Sequence, residues 1–116
     1  MAKDLAKEIY RITKGFPAEE KFGLVSQITR AAISVASNLA EGSGRMSRKD
    51  QAHFTQLAYG SLMEVACQLE IATELHFLPE GDFQKISALI KTIADKLSAL
   101  RNSQLSTLNS QPSSSG

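Results

Sequence analysis

Apolar residues recur three and four positions apart over four long segments of this chain, the spacing of one face of an α-helix. Leu5, Ile9, Ile12 and Phe16 begin the pattern and predict a first helix over about residues 2–14. Gly15 suits the position just after a helix, while Pro17, Glu19 and Glu20 suit the first turn of the next, where a missing N–H is harmless and carboxylates meet the positive end of the dipole. A second helix is expected over about residues 18–41, with Leu24, Ile28, Val35 and Leu39 on one side and Ala31 and Ala32 beside them. The glycine-rich Gly42-Ser43-Gly44-Arg45-Met46 stops it.

Ser47-Arg48-Lys49-Asp50 matches a capping box and predicts a third helix over about residues 47–76, through Phe54, Leu57, Ala58, Leu62, Val65, Leu69, Ala72 and Leu75. Pro79 and Gly81 then break the chain. The fourth helix, about residues 80–101, carries the cleanest seam: Phe83, Ile86, Ile90, Ile93, Leu97 and Leu100. From Asn102 onward Ser, Gln, Asn and Thr dominate, so residues 102–116 are expected to be a disordered polar tail. Short connections between long helices predict an all-α, antiparallel up-down-up-down four-helix bundle over residues 1–101.

Composition narrows the class further. A single cysteine, Cys67, allows no internal disulfide, and the charged start Met1-Ala2-Lys3-Asp4 has no signal-peptide pattern, so a reducing cytoplasm is the expected location. The least charged stretch, Phe22 to Ala40, still contains Arg30, Gln27, Asn38 and several hydroxyls, which argues against a membrane span.

Two of the helices are unusually poor in ionic groups. Only Arg30 is charged between Phe22 and Ala40, and only Glu64 between Gln51 and Leu69. A helix apolar or small nearly all round is usually covered nearly all round. On a wheel of about 100° per residue, Phe22, Thr29, Ile33 and Ala40 form an arc roughly 120° from the core arc of the second helix. This second arc is the candidate interface of a homo-oligomer, the alternative being a monomer with a modest exposed patch.

Arg30, Ser34, Asn38 and Glu41 share a polar stripe on the same helix, and Gly60, Ser61 and Glu64 form a small polar patch on the third. Glycine in a helix interior costs about 1 kcal/mol against alanine, so Gly60 suggests close approach by another group. Together these residues predict a buried polar layer, within a subunit or between subunits, that serves either as a register-setting network or as a ligand site.

The formal net charge of +1 hides a segregation. Residues 1–49 carry nine Lys/Arg against five Asp/Glu, a surplus of +4, whereas residues 50–80 carry five acids and no base. Lys3, Lys7, Arg11 and Lys14 make a basic stripe on the first helix, and Arg45, Arg48 and Lys49 a second cluster. Such clusters favour phosphates of RNA or DNA, or serve simply as solvated faces interleaved with Asp4 and Glu8. A protein partner steered by the opposite charges is the competing reading.

Catalysis is not expected. A di-iron bundle needs two Glu-x-x-His motifs, and this chain has one imperfect Asp50-x-x-His53. His76 and Cys67 lack ligand spacing with it, and Gly42-Ser43-Gly44 follows a helix rather than a strand, so neither a metal site nor a phosphate loop is expected. No cofactor is implied.

The run Arg30-Ala31-Ala32-Ile33-Ser34-Val35-Ala36-Ser37-Asn38-Leu39-Ala40-Glu41-Gly42, then Gly44-Arg45, and later Ala58-Tyr59-Gly60-Ser61-Leu62-Met63-Glu64, resembles the four-helix-bundle proteins encoded in intervening sequences of bacterial 23S ribosomal RNA genes. The Phe16-Pro17 turn and the Gln68-Leu69 pair fit the same pattern, and the resemblance covers residues 4 to about 101. It implies a homopentameric barrel of four-helix subunits, most such proteins having no established biochemical activity. The related accessory proteins of diversity-generating retroelements further imply binding of nucleic acid and of a reverse transcriptase.

Overall fold

A computed structural model describes residues 1–115, with side chains described through Ser106. It contains four α-helices: α1 (Ala2–Thr13), α2 (Leu24–Ser43), α3 (Arg48–Glu74) and α4 (Glu80–Ser115), and no strand among the described residues. Within this four-helix bundle α1 packs on α2 and α4, and α3 packs on α2 and α4. The core is aliphatic. Leu5, Ile9, Ile28, Val35, Leu62, Val65 and Leu69 are wholly buried, and Ile86, Ile90, Ile93 and Leu97 complete the fourth side. Fully burying each such side chain is worth about 1.5–3 kcal/mol, so the three-and-four spacing is the main source of stability.

The second helix begins later than expected. Pro17 is followed by a short 3-10 turn at Ala18–Glu20 and a further turn, and Gly23 takes the N-cap of α2 with φ −106° and ψ −105°. A glycine there is a poor helix residue, and it separates Glu19 and Glu20 from the helix they were expected to begin. Phe22 therefore sits on the connection and is 89% exposed, not on the helical arc. Ser47 does cap α3: its Oγ accepts from Asp50 N–H at 3.0 Å.

α3 stops at Glu74, two residues short of the expected end, in a Schellman arrangement: Phe77 N–H donates to the Ala72 carbonyl at 2.8 Å and His76 N–H to the Thr73 carbonyl at 3.0 Å. His76 occupies the left-handed position with φ 64°. Leu57 and Leu75, expected to join the core run, are exposed, as is Leu100 on α4.

α4 does not end near residue 101 but continues as helix through Ser115. Of the tail expected to be disordered, residues 102–106 are ordered against the bundle: Gln104 is buried and accepts from Thr55 Oγ1 at 3.0 Å. One buried amide anchors a segment whose composition alone reads as solvent-loving. Gly116, the last residue of that expected tail, lies outside the described residues.

Candidate functional site

The polar groups of α2 and α3 do meet, but as a surface seam. Ser34 Oγ lies 2.9 Å from Ser61 Oγ, and Asn38 Nδ2 donates to the Ser34 carbonyl at 2.9 Å and to its Oγ at 3.0 Å. All three side chains are half-buried. One helical turn and more away, Gln68 Nε2 donates to Gln27 Oε1 and to Glu64 Oε1, both at 3.4 Å, and Gln68 Oε1 is buried without a partner. Nearby a cleft of about 300 Å³ is lined by Gln27, Arg30, Ala31, Ser34 and Glu64.

The single chain does not bury the expected layer at four of its residues: Arg30, Glu41, Gly60 and Glu64 are exposed, and Arg30 and Glu64 line the same solvent-facing cleft between α2 and α3. Glu41 pairs instead with Arg45, Oε1 to Nη2 at 2.6 Å. A Cβ on Gly60 would meet nothing within 4 Å, so no group of the chain approaches it. The close approach occurs at Gly42, where a Cβ would lie 2.9 Å from Phe54 Cβ.

The outer side of α2 carries a second feature. Tyr10 from α1, Phe22 from the connection, and Val25, Thr29 and Ile33 from α2 line a groove of about 490 Å³, with Lys21 and Arg30 on its rim. Ile33 is 43% and Tyr10 53% exposed. Of the four residues assigned to this arc, Phe22, Thr29 and Ile33 are brought together, while Ala40 is exposed further along the helix and does not line the groove. Tyr10 was missed, since its place on α1 becomes relevant only once α1 is laid beside α2.

On the outward side of α3, Leu57, Ile71 and Leu75 are exposed together with Gly60 and Cys67. Helical spacing places them along one outer strip, with Glu64 among them and Glu74 at its margin.

The two basic clusters differ in how free their charges are. Arg11 is held by Glu8, Nη2 to Oε2 at 2.8 Å, and faces Asp82 across to α4 at 3.8 Å. The hydrogen bond and charge of Glu8 raise the guanidinium pKa above its ordinary value, keeping it charged. Arg45 is tied to Glu41 and lies 4.8 Å over the Phe54 ring, and Arg48 reaches Gln51 at 3.5 Å. Lys3, Lys7, Lys14 and Lys49 are exposed and form no ion pair among the described residues.

No group of three His, Cys, Asp or Glu side chains is placed to hold a metal among the described residues. No helix among them is long and apolar enough to cross a membrane. Ser34 and Ser61 share a hydrogen bond and Ser34 Oγ accepts from Asn38 Nδ2; among the described residues no imidazole or carboxylate accepts from either hydroxyl.

Comparison with known proteins gives one assignment. No curated protein matches the chain significantly. The family model of the 23S rRNA-intervening sequence protein matches residues 1–99, which takes in α1, α2, α3 and most of α4. The chain belongs to the 23S rRNA-intervening sequence protein family.

Proposed function

We propose that this protein is a non-enzymatic helical building block that assembles with copies of itself and presents basic surfaces to RNA. The observation that carries self-assembly is the apolar groove between α1 and α2, where Phe22 and Ile33 stand in water in the single chain. A contiguous patch of this kind, rimmed by polar residues, marks an interaction surface. The family resemblance points to five subunits, and the lone cysteine, Cys67, favours a reducing cytoplasm.

The helices descend past one another in a consistent order: Gln27 meets Gln68, Ser34 meets Ser61, and Gly42 meets Phe54. This supports an antiparallel α2–α3 pair within an up-down-up-down bundle, a rigid support for a surface used in assembly.

Measuring particle mass in solution tests the assembly. Ile33→Asp is expected to reduce the particle to single chains with helical content retained; an unchanged mass removes this groove from the interface.

The unpaired Lys3, Lys7, Lys14 and Lys49 favour a role at the phosphate backbone, and copies in an assembly multiply them. Retention of RNA by the wild type should fall steeply between low and physiological salt, and Lys3→Gln with Lys7→Gln and Lys14→Gln should flatten that slope. Salt-independent retention would remove the phosphate-led reading. In that case the opposed charges favour a scaffold for a protein partner, such as a reverse transcriptase, without direct nucleic-acid contact.

A further inference from the structure

We infer that a cavity between α3 and α4 seats one unpaired base of a single-stranded RNA, with its phosphate on Arg101. This rests on the RNA-binding reading and adds to it a site for a single nucleotide. The cavity, of about 250 Å³, is lined by Thr55, Gln56 and Tyr59 of α3 and by Ser98, Arg101 and Asn102 of α4. Sites for drug-sized molecules run from about 300 to 1,000 Å³, so this one suits one base with its phosphate rather than a larger ligand.

The charge of the lining is one-sided. Arg101 is its only charged side chain, is half-buried, and forms no ion pair among the described residues. A guanidinium with no acid beside it favours an anion, and its planar fork matches two oxygens of a phosphate. Tyr59 is half-buried against the core, which holds its ring in place. Stacking on such a ring accepts any base, but only one already freed from a duplex. The Gln56 and Asn102 amides each carry donors and an acceptor, which suits the hydrogen-bonding edge of an unpaired base.

The buried Thr55 both lines the cavity and ties the end of α4 to α3, through its 3.0 Å hydrogen bond to Gln104. Arg101 and Asn102 lie beyond the span matched by the family model, so the site is built partly from this chain's own continuation of α4. Lys49 stands seven residues before Gln56 on the same face of α3, about 10 Å away. It is exposed and unpaired among the described residues, and offers a second phosphate contact that a strand reaches and a free nucleotide does not.

Tyrosine fluorescence tests this. Tyr10 and Tyr59 are the only tyrosines and the chain has no tryptophan, so after Tyr10→Phe the emission reports Tyr59 alone. A single-stranded RNA of about eight nucleotides is expected to quench it. By anisotropy of the labelled strand, Tyr59→Leu should weaken binding about tenfold and Tyr59→Phe should leave it unchanged. Arg101→Gln should weaken binding and lower the slope of log affinity against log salt by about 0.7. If Tyr59→Leu loses helicity, Gln56→Glu, at an exposed position, sets a carboxylate beside Arg101 and should weaken binding in its place. Binding without quenching, wild-type affinity in these variants, or a duplex held as tightly as the strand overturns the cavity as a base site, while RNA binding at the lysines stands. A nucleoside monophosphate held as tightly as the strand overturns the assignment to RNA. A wild type that retains no RNA overturns the RNA reading and the site together.

Discussion

Phe54 Cβ lies 2.9 Å from the point where a Cβ on Gly42 would fall, and Gly42 is buried at the C-terminal end of α2. The contact is with the root of the Phe54 side chain, which cannot swing aside without moving α3. Gly42→Ala is therefore expected to destabilise the fold by about 1–3 kcal/mol, overpacking outweighing the gain in helix propensity. Chemical denaturation reads this directly. Gly60→Ala should instead leave the single chain about 1 kcal/mol more stable or unchanged, since no atom opposes it.

Thr55 and Gln104 anchor the end of α4 to α3 through a 3.0 Å hydrogen bond in which both residues are buried. Thr55→Val keeps the shape and deletes the donor, leaving the Gln104 acceptor without it. A loss of about 1–3 kcal/mol is expected. Hydrogen exchange should show faster amide exchange at residues 102–106, while the centre of α4 around Ile90 changes far less.

His76 holds φ 64° at the residue where α3 turns out of its helix. A side chain in this region costs about 1–2 kcal/mol, and glycine removes the cost. His76→Gly should raise the melting temperature, and failure to do so would mean that the exposed imidazole makes a compensating contact.

How far the sequence revealed this molecule depends on what kind of information each feature needs. The core positions Leu5, Ile9, Ile28, Val35, Leu62, Leu69, Ile90 and Ile93 follow from periodicity alone, since burying one apolar face of each helix supplies most of the force that drives folding. The Ser47 cap was equally legible, because its partner Asp50 N–H is three residues away. The Gly23 cap, the left-handed His76 and the Thr55–Gln104 anchor were not. The first two turn on backbone geometry at single residues, and the third joins side chains far apart in sequence.

The candidate surfaces show the same division. Ser34, Asn38 and Ser61 were correctly brought together by wheel and register. Arg30 and Glu64 are not buried within the single chain, because a polar stripe beside a core arc lies either inside the bundle or on its flank depending on rotations of a few tens of degrees. Tyr10 joined the groove only through packing of α1 on α2.

A fourth expectation concerns pH. The buried polar residues among those described are Thr13, Thr55, Gln68 and Gln104, none of which ionises. The Glu8 carboxylate holds the Arg11 guanidinium pKa above its ordinary value, so this pair's contribution is present at neutral pH and is lost on the basic side only under strongly alkaline conditions. Through this pair, unfolding free energy should not fall between neutral and mildly alkaline solution, and a denaturation midpoint that stays level over that range checks it.

The uncharged seam of Ser34, Ser61 and Asn38 has a consequence for control. Pairing of α2 with α3 runs on neutral hydrogen bonds and hydrocarbon, while the lysines proposed to meet phosphate are ionic and exposed. Ionic strength can then loosen or tighten association as a dial of its own, with each building block keeping its shape throughout.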